Sequence, residues 1–169
     1  TSTMPFTWGF PTTFVVEGRA DDVEKLPAAF YDSVSVSFFQ TTRIPLIAGR
    51  PFADADRTGA PRVAIINETM ARHYFRGTDP VGKRFAWWHT APKDVEIVGV
   101  VRDAKYDNLR QDSPRLVYLP APQQGSGPNF VQIRAKTDRE RQVVTLVQDF
   151  RAAIRTVGPD VVLLDWEMP

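Results

Sequence analysis

The chain contains no cysteine. That excludes disulfides, thiolate metal sites and a cysteine nucleophile, and it fits cytoplasmic and extracytoplasmic compartments equally. Histidine is nearly as scarce. His73 and His89 are the only two, and no H-x-x-x-H or HExxH spacing puts a pair on one metal ion, so a helix histidine and a turn histidine are expected. Excess charge of one sign is missing too. With 21 basic and 20 acidic residues mixed along 169 positions the formal charge is +1, which leaves no electrostatic footprint for nucleic acid or an anionic membrane surface. No apolar run approaches the about 18 residues of a membrane helix, and the first thirty residues lack the basic start and apolar stretch of a signal peptide. The chain starts at Thr1 without an initiator methionine, and is expected to be a processed or excised piece of a larger protein. No G-x-S-x-G nucleophile elbow occurs. "GSGP" (125 to 128) has no strand running straight into it and no helix after it, and reads as a loop.

What is present is a 43% apolar content, enough for a core in one domain or two small subdomains. "TFVVEGR" (13 to 19) and "FYDSVSVS" (30 to 37) read as strands, the second with Val34 and Val36 alternating against serines. "SFFQTTRI" (37 to 44) reads as a short helical turn that packs Phe38 and Phe39 inward and stops at Pro45. The following stretch, 45 to 62, is rich in Gly, Pro and Asp and reads as an irregular surface segment. "VAII" (63 to 66) is a buried strand, with Asn67 placed as the N-cap of a helix. Within "ETMARHYF", Met70, Ala71, Tyr74 and Phe75 share one apolar face, and Gly77 sits where the helix stops. "KRFAWW" (83 to 88), "VEIVGVVRDA" (95 to 104) and "RLVYLP" (115 to 120) complete a strand-rich middle.

Towards the C-terminus "FVQIRAK" (130 to 136) is a strand, and Thr137 with Glu140 forms a capping box at a helix start. Val143, Val147, Phe150, Ile154 and Val157 continue as one apolar stripe. Gly158 and Pro159 stop the helix before a final strand, "VVLLDW" (161 to 166). Strand, helix, strand is a βαβ unit whose crossover covers a sheet.

One motif imitates a phosphate loop. "GTDPVGK" (77 to 83) has Gly77, four residues, Gly82 and Lys83. A working loop lies between a strand and a helix N-terminus, and its next residue offers a hydroxyl to magnesium. Here the helix precedes the glycines, Asp79 sets a carboxylate where a phosphate belongs, Pro80 removes a donor, and Arg84 replaces the hydroxyl. The stretch is expected to be a helix stop and a turn into a strand, with no nucleotide and no cofactor.

Other candidates are no stronger. Asp54 and Asp56 in "DADR" resemble the start of a calcium loop, but the glycine and glutamate that complete one are absent, so a solvated acidic turn is expected. Asp103, Asp107, Glu96 and Asp165 could converge for acid–base work, yet no pattern selects them. Trp87 and Trp88 are adjacent on a presumed strand, so one faces away from the core unless both sides are covered. They are the candidate partner surface. No catalytic, cofactor or metal residue is assigned.

"VSVSFFQTTRIPLIAGRPFADADR", "VAIINETMARHYFRGTDPVGKRF", "VEIVGVVRDAKYDNLRQDSPRLVYLP" and the closing βαβ resemble, in order and spacing, the MacB-like periplasmic core domain of FtsX-type ABC transporter permeases. The resemblance runs from about residue 30 to 165. It implies an α+β fold of two lobes: a porter-like α/β lobe with the βαβ unit, residues 1–45 and 121–169, and an inserted strand-rich lobe, residues 46–120. It also implies a non-enzymatic domain outside the bacterial cytoplasmic membrane, anchored by transmembrane helices beyond this chain. Its partners would be a separate ABC ATPase component, reached through a dimeric parent permease, and a periplasmic adaptor or a peptide or lipoprotein substrate. Little is visible before Thr13 of the strand and helix that such domains carry upstream, so a sheet edge of the porter-like lobe is expected to be open. Two other readings compete. A free-standing extracytoplasmic ligand-binding module predicts a concave pocket with convergent polar groups, and an enzyme with dispersed carboxylates predicts turnover that vanishes on changing Asp103 or Asp107.

Overall fold

The computed structural model describes residues 11–12, 14–16, 29–87, 94–104 and 113–124, together with the helical positions Thr145, Gln148, Asp149 and Ala152. The chain divides into two compact units, Met4–Gln132 and Ile133–Pro169 with Thr1–Thr3. The expected lobes divide at 45/46 and 120/121, whereas these units divide after residues 3 and 132.

The larger unit is a mixed α+β structure built on one eight-stranded sheet. Its elements are β1 (Pro11–Thr12), β2 (Phe14–Val16), β3 (Ala29–Val34), α1 (Phe38–Thr42), β4 (Leu46–Gly49), β5 (Val63–Asn67), α2 (Glu68–Tyr74), β6 (Arg84–Trp87), β7 (Val95–Val101), β8 (Leu116–Pro120) and α3 (Ala121–Gln124). The strands run in the order β1-β3-β8-β5-β7-β6-β2, with β4 attached to β7. The pairs β3/β8 and β5/β7 are parallel, and the others are antiparallel.

The central strands are apolar on both sides because both faces of the sheet are covered, which a strand with continuous hydrophobic sequence requires. Ala64 and Ile66 of β5 and Val117 and Leu119 of β8 pack with Met70 and Tyr74 of α2 and with Phe75 just after it. Val63 and Ile65, Leu116 and Tyr118 point to the other face, where Phe38, Phe39 and Phe52 close the core. There Phe39 meets Tyr118 edge-on at 5.0 Å between ring centres. α2 forms where the sequence places it: the Asn67 side chain accepts from the Met70 amide, Glu68 lies in the first turn, and Gly77 takes a positive φ of 74° just beyond the end.

Two elements depart from expectation. The segment 45–62 is not irregular throughout, since β4 occupies Leu46–Gly49. "LIAG" shows no alternation, and the strand exists because β7 offers it an edge. The last residue of β8 leads directly into the single turn α3, whose Gln123 side chain accepts from the Val63 amide at 3.1 Å and donates to the Pro61 carbonyl at 2.8 Å.

In the smaller unit, Thr145, Gln148, Asp149 and Ala152 are helical and exposed. They fall between the expected stripe positions, as the solvent face of that helix should. The stripe itself, the capping box and both strands of the βαβ unit lie outside the described residues.

Candidate functional site

The sheet is most unusual along one side of β7. β6 pairs with its beginning, at Val95 and Glu96, and β4 with its end, from Gly99 to Val101. Between them the Gly82 amide donates to the Ile97 carbonyl and the Arg50 amide to the Val98 carbonyl. The near-phosphate loop is therefore the stretch that carries the chain from the end of α2 into β6. Asp79 accepts from the Val81 amide at 2.9 Å, and Lys83 donates its amide to the Pro80 carbonyl. Gly77 and Gly82 both have positive φ. The sequence reading of a helix stop and a turn into a strand describes what is there.

β4 can reach β7 only because two glycines meet. Gly49 has φ +73, and a Cβ on it would overlap the Val98 carbonyl; a Cβ on Gly99 would come 2.6 Å from the Arg50 carbonyl oxygen. Register slips by one residue between Leu46 and Ala48, so Ile47 is the bulged position on this strand.

The polypeptide beyond β4 is held firmly. Arg50 grips Asp56 in a two-pronged pair, at 2.8 and 2.9 Å, and Asp56 also accepts from the Ala53 amide at 2.8 Å. The expected solvated acidic turn is thus corrected for half of its residues: Asp54 is exposed, whereas Asp56 is buried. An Arg six positions upstream supplies the charge that allows this. Thr58 then donates from its hydroxyl to the Pro122 carbonyl at 2.6 Å, tying the segment to α3.

The Arg50 guanidinium, helped by the Ala53 amide, holds the Asp56 carboxyl below its ordinary value of 3.8. Asp32 on β3 behaves oppositely, since burial pushes its carboxyl up against a smaller pull from the Ser33 amide. Opposite pH signatures follow. Asp56 contributes stability above about pH 3.8 that is lost as pH falls through its depressed folded value. Ionised Asp32 costs stability at neutral pH, and the cost disappears as pH falls through its raised folded value. Asp56→Asn should therefore lose about 1–2 kcal/mol at pH 7, a modest figure because the Arg50 side chain is 48% exposed. Asp32→Asn should gain stability at pH 7, with both differences shrinking towards pH 3 in urea unfolding curves. An Asp56→Asn chain as stable as the parent at pH 7 would refute the assignment.

The dispersed carboxylates do not assemble into a catalytic group among the described residues. Glu96 pairs with Arg84 at 3.3 Å near the start of β7. Asp103 lies past its other end, where it accepts from Asn67, from the Thr69 amide and hydroxyl, and from Arg72. Asn67, fully buried, completes the knot by donating to the Pro114 carbonyl and accepting from the Leu116 amide. This arrangement joins the ends of β5 and β7 to α2 and the start of β8. It has every hydrogen-bonding capacity of the Asn67 amide engaged, which is the chemistry of a structural joint. Asp107, Asp165 and His89 lie outside the described residues. His73 is half-buried on α2, its ring edge-on to Tyr74 at 4.7 Å. Among the described residues no three His, Asp or Glu side chains group as a metal site.

Trp87 is the last residue of β6 and pairs in register with Phe14 of β2. Trp88 lies outside the described residues. The surface that sequence reasoning missed is on β4, where Leu46 and Ile47 are 36% and 44% exposed. "IPLI" within a Pro- and Gly-rich stretch was the available signal.

Among the described residues no helix is long and apolar enough to cross a membrane. No curated protein matches the sequence. Solved structures do match in fold. The periplasmic region of MacB from Actinobacillus actinomycetemcomitans is 15% identical with a TM-score of 0.53, covering 91% of this chain and 74% of that one. A domain of a protein described as a permease, from Porphyromonas gingivalis, is 18% identical with a TM-score of 0.52, covering 84% and 60%. The extracellular domain of the noncanonic ABC-type transporter YknZ from Gram-positive bacteria is 18% identical with a TM-score of 0.52, covering 86% and 77%. The sequence model of the MacB-like periplasmic core domain matches residues 2–153. The chain belongs to the family of MacB-like periplasmic core domains, the part of ABC transporter permeases that lies outside the membrane.

Proposed function

We propose that this domain is a non-catalytic coupling element of an ABC transporter permease. Transmembrane helices of the parent protein, beyond this chain, hold it outside the cytoplasmic membrane. A separate ABC ATPase hydrolyses nucleotide on the other side, and the domain turns that cycle into work on a periplasmic adaptor or on a peptide or lipoprotein substrate. The parent permease acts as a pair. The observation that carries this reading is the family match along residues 2–153.

The physical character of the described unit supports it. A sheet packed on both faces and locked by the Asn67–Asp103 joint transmits displacement instead of absorbing it. Glu96 on β7 and Asp103 just past its end are engaged in structural bonds. We include Trp87 and Trp88 in the contact surface, because adjacent tryptophans at a strand end supply large apolar area to a partner.

The placement is tested in intact cells that express the parent permease. With no native cysteine in this chain, Gln40→Cys on the exposed side of α1 gives the domain one thiol. A membrane-impermeant maleimide that passes the outer envelope should label it without permeabilising the cytoplasmic membrane. Labelling only after that membrane is opened would overturn the placement.

A further inference from the structure

The function proposed above requires a place where a partner is held, and β4 has the physical features of one. Leu46 and Ile47 are the exposed large hydrophobic side chains among the described residues. Both sit on a strand that pairs on one side with β7 and with no other strand among the described residues. Leu46 lies over Gly99, its Cδ1 3.1 Å from where a Cβ would be, so the apolar surface rests on a rigid strand.

Two cations flank this surface. Arg43 precedes β4 by three positions, and the Arg102 amide donates to the Pro45 carbonyl at 2.9 Å, which brings Arg102 beside the strand's first residue. Both are exposed, and neither guanidinium has a carboxylate partner among the described residues. Arg43 is also the one non-glycine residue with positive φ among the described residues, at 57°. A glycine would suit that left-handed position better. That conformation caps the end of α1, where the Arg43 amide donates to the Phe39 carbonyl, so the helix end fixes the backbone at Arg43 just before β4.

We propose that the β4 edge docks an extended segment of a protein partner, whose apolar side chains cover Leu46 and Ile47 while its carboxylates meet Arg43 and Arg102. The proposal deepens the coupling function and rests on it. A membrane surface is the poorer occupant, since adsorption to lipid draws on a broad apolar helix face or a cluster of several basic residues, and here there are only two apolar side chains on the strand and two arginines outside it. An extended segment matches the shape of a strand edge and can add backbone bonds to it. The bulge at Ile47 limits this pairing to a short register and discourages edge-to-edge association of two copies.

The test titrates the isotope-labelled chain, followed by amide chemical shifts, with three probes: a blocked hexapeptide alternating valine with aspartate, one alternating valine with lysine, and phosphatidylglycerol vesicles. The acidic peptide should move the signals of residues 46–49. Its Kd should rise about tenfold in the chain carrying both Arg43→Gln and Arg102→Gln, and Ile47→Asp should abolish the shifts while leaving the rest of the spectrum in place. An acidic peptide that leaves β4 unmoved overturns the proposal, as does equal binding of the basic peptide. Vesicles that perturb β4 more strongly than the peptide would make it a lipid contact. Failure here with successful labelling of Gln40→Cys from outside removes the docking edge alone; failed labelling removes the permease placement.

Discussion

Asn67→Ala is expected to lower the stability of the chain by about 3–5 kcal/mol in urea unfolding, a large share of the roughly 5–15 kcal/mol that holds a domain of this size. The effect is large because one side chain serves four partners. It caps α2 through the Met70 amide at 3.0 Å, satisfies the Leu116 amide at 3.0 Å, and donates to Pro114 at 2.8 Å and to Asp103 at 2.7 Å. Loss of the cap alone costs about 1 kcal/mol. The larger part comes from the buried Leu116 amide and the half-buried Pro114 carbonyl, each left without this partner, at about 1–3 kcal/mol apiece. Asn67→Asp separates these terms. It keeps the acceptor for Met70 and Leu116 but sets a second carboxylate oxygen against Asp103. Like charges at that distance raise the pair's folded proton affinity. The deficit of Asn67→Asp should therefore be full at pH 7 and shrink as pH falls through the raised folded value, whereas that of Asn67→Ala should not recover. An Asn67→Ala chain within 1 kcal/mol of the parent would show that the joint is not structural.

Gly49→Ala should be the second most damaging change, at about 3–4 kcal/mol. Two penalties act together. The backbone at φ +73 disfavours any Cβ, and that Cβ would overlap the Val98 carbonyl and come within 2.8 Å of the Gly99 Cα. Both obstacles are backbone of the central strand β7, so β4 has to move. The damage should be local first: hydrogen exchange at residues 48–50 should quicken by orders of magnitude while β5, bonded to the opposite side of β7, keeps its protection. Gly99→Ala, which presses on the Arg50 carbonyl from the facing strand, should give the same pattern. Uniform loss of protection across β4, β5 and β8 would contradict the view that these glycines serve the docking of β4.

Much of the larger unit was legible because its signals are local. The N-cap of Asn67, the apolar face of α2 and the stop at Gly77 follow from residues within one or two turns of each other. The strands β5, β7 and β8 announce themselves as continuous apolar runs. The long-range partnerships left no such trace. The other partners of Asn67 lie at Asp103, Pro114 and Leu116, so its role as a joint could not be read beside its role as a cap. Asp56 looked solvated because burial of a carboxylate depends on where Arg50 points. β4 was hidden for the same reason, since its hydrophobicity is ordinary and its partner strand starts about fifty residues later. The parallel pairing of β3 with β8 puts residues 29–34 and 116–120 in one sheet, a contact between segments more than eighty residues apart with no local signal.

In the proposed function the decisive event is motion of the domain with nucleotide turnover in a paired permease. It is tested most directly by pulsed electron resonance on the parent protein, reconstituted in lipid discs with its ATPase and carrying a spin label at Gln40→Cys in each copy. The expected result is one distance distribution without nucleotide, a displaced one with ATP bound to a hydrolysis-deficient ATPase, and loss of that displacement when ATP binding is blocked. Distributions that are the same in all three states, from copies close enough to give a signal, would contradict it.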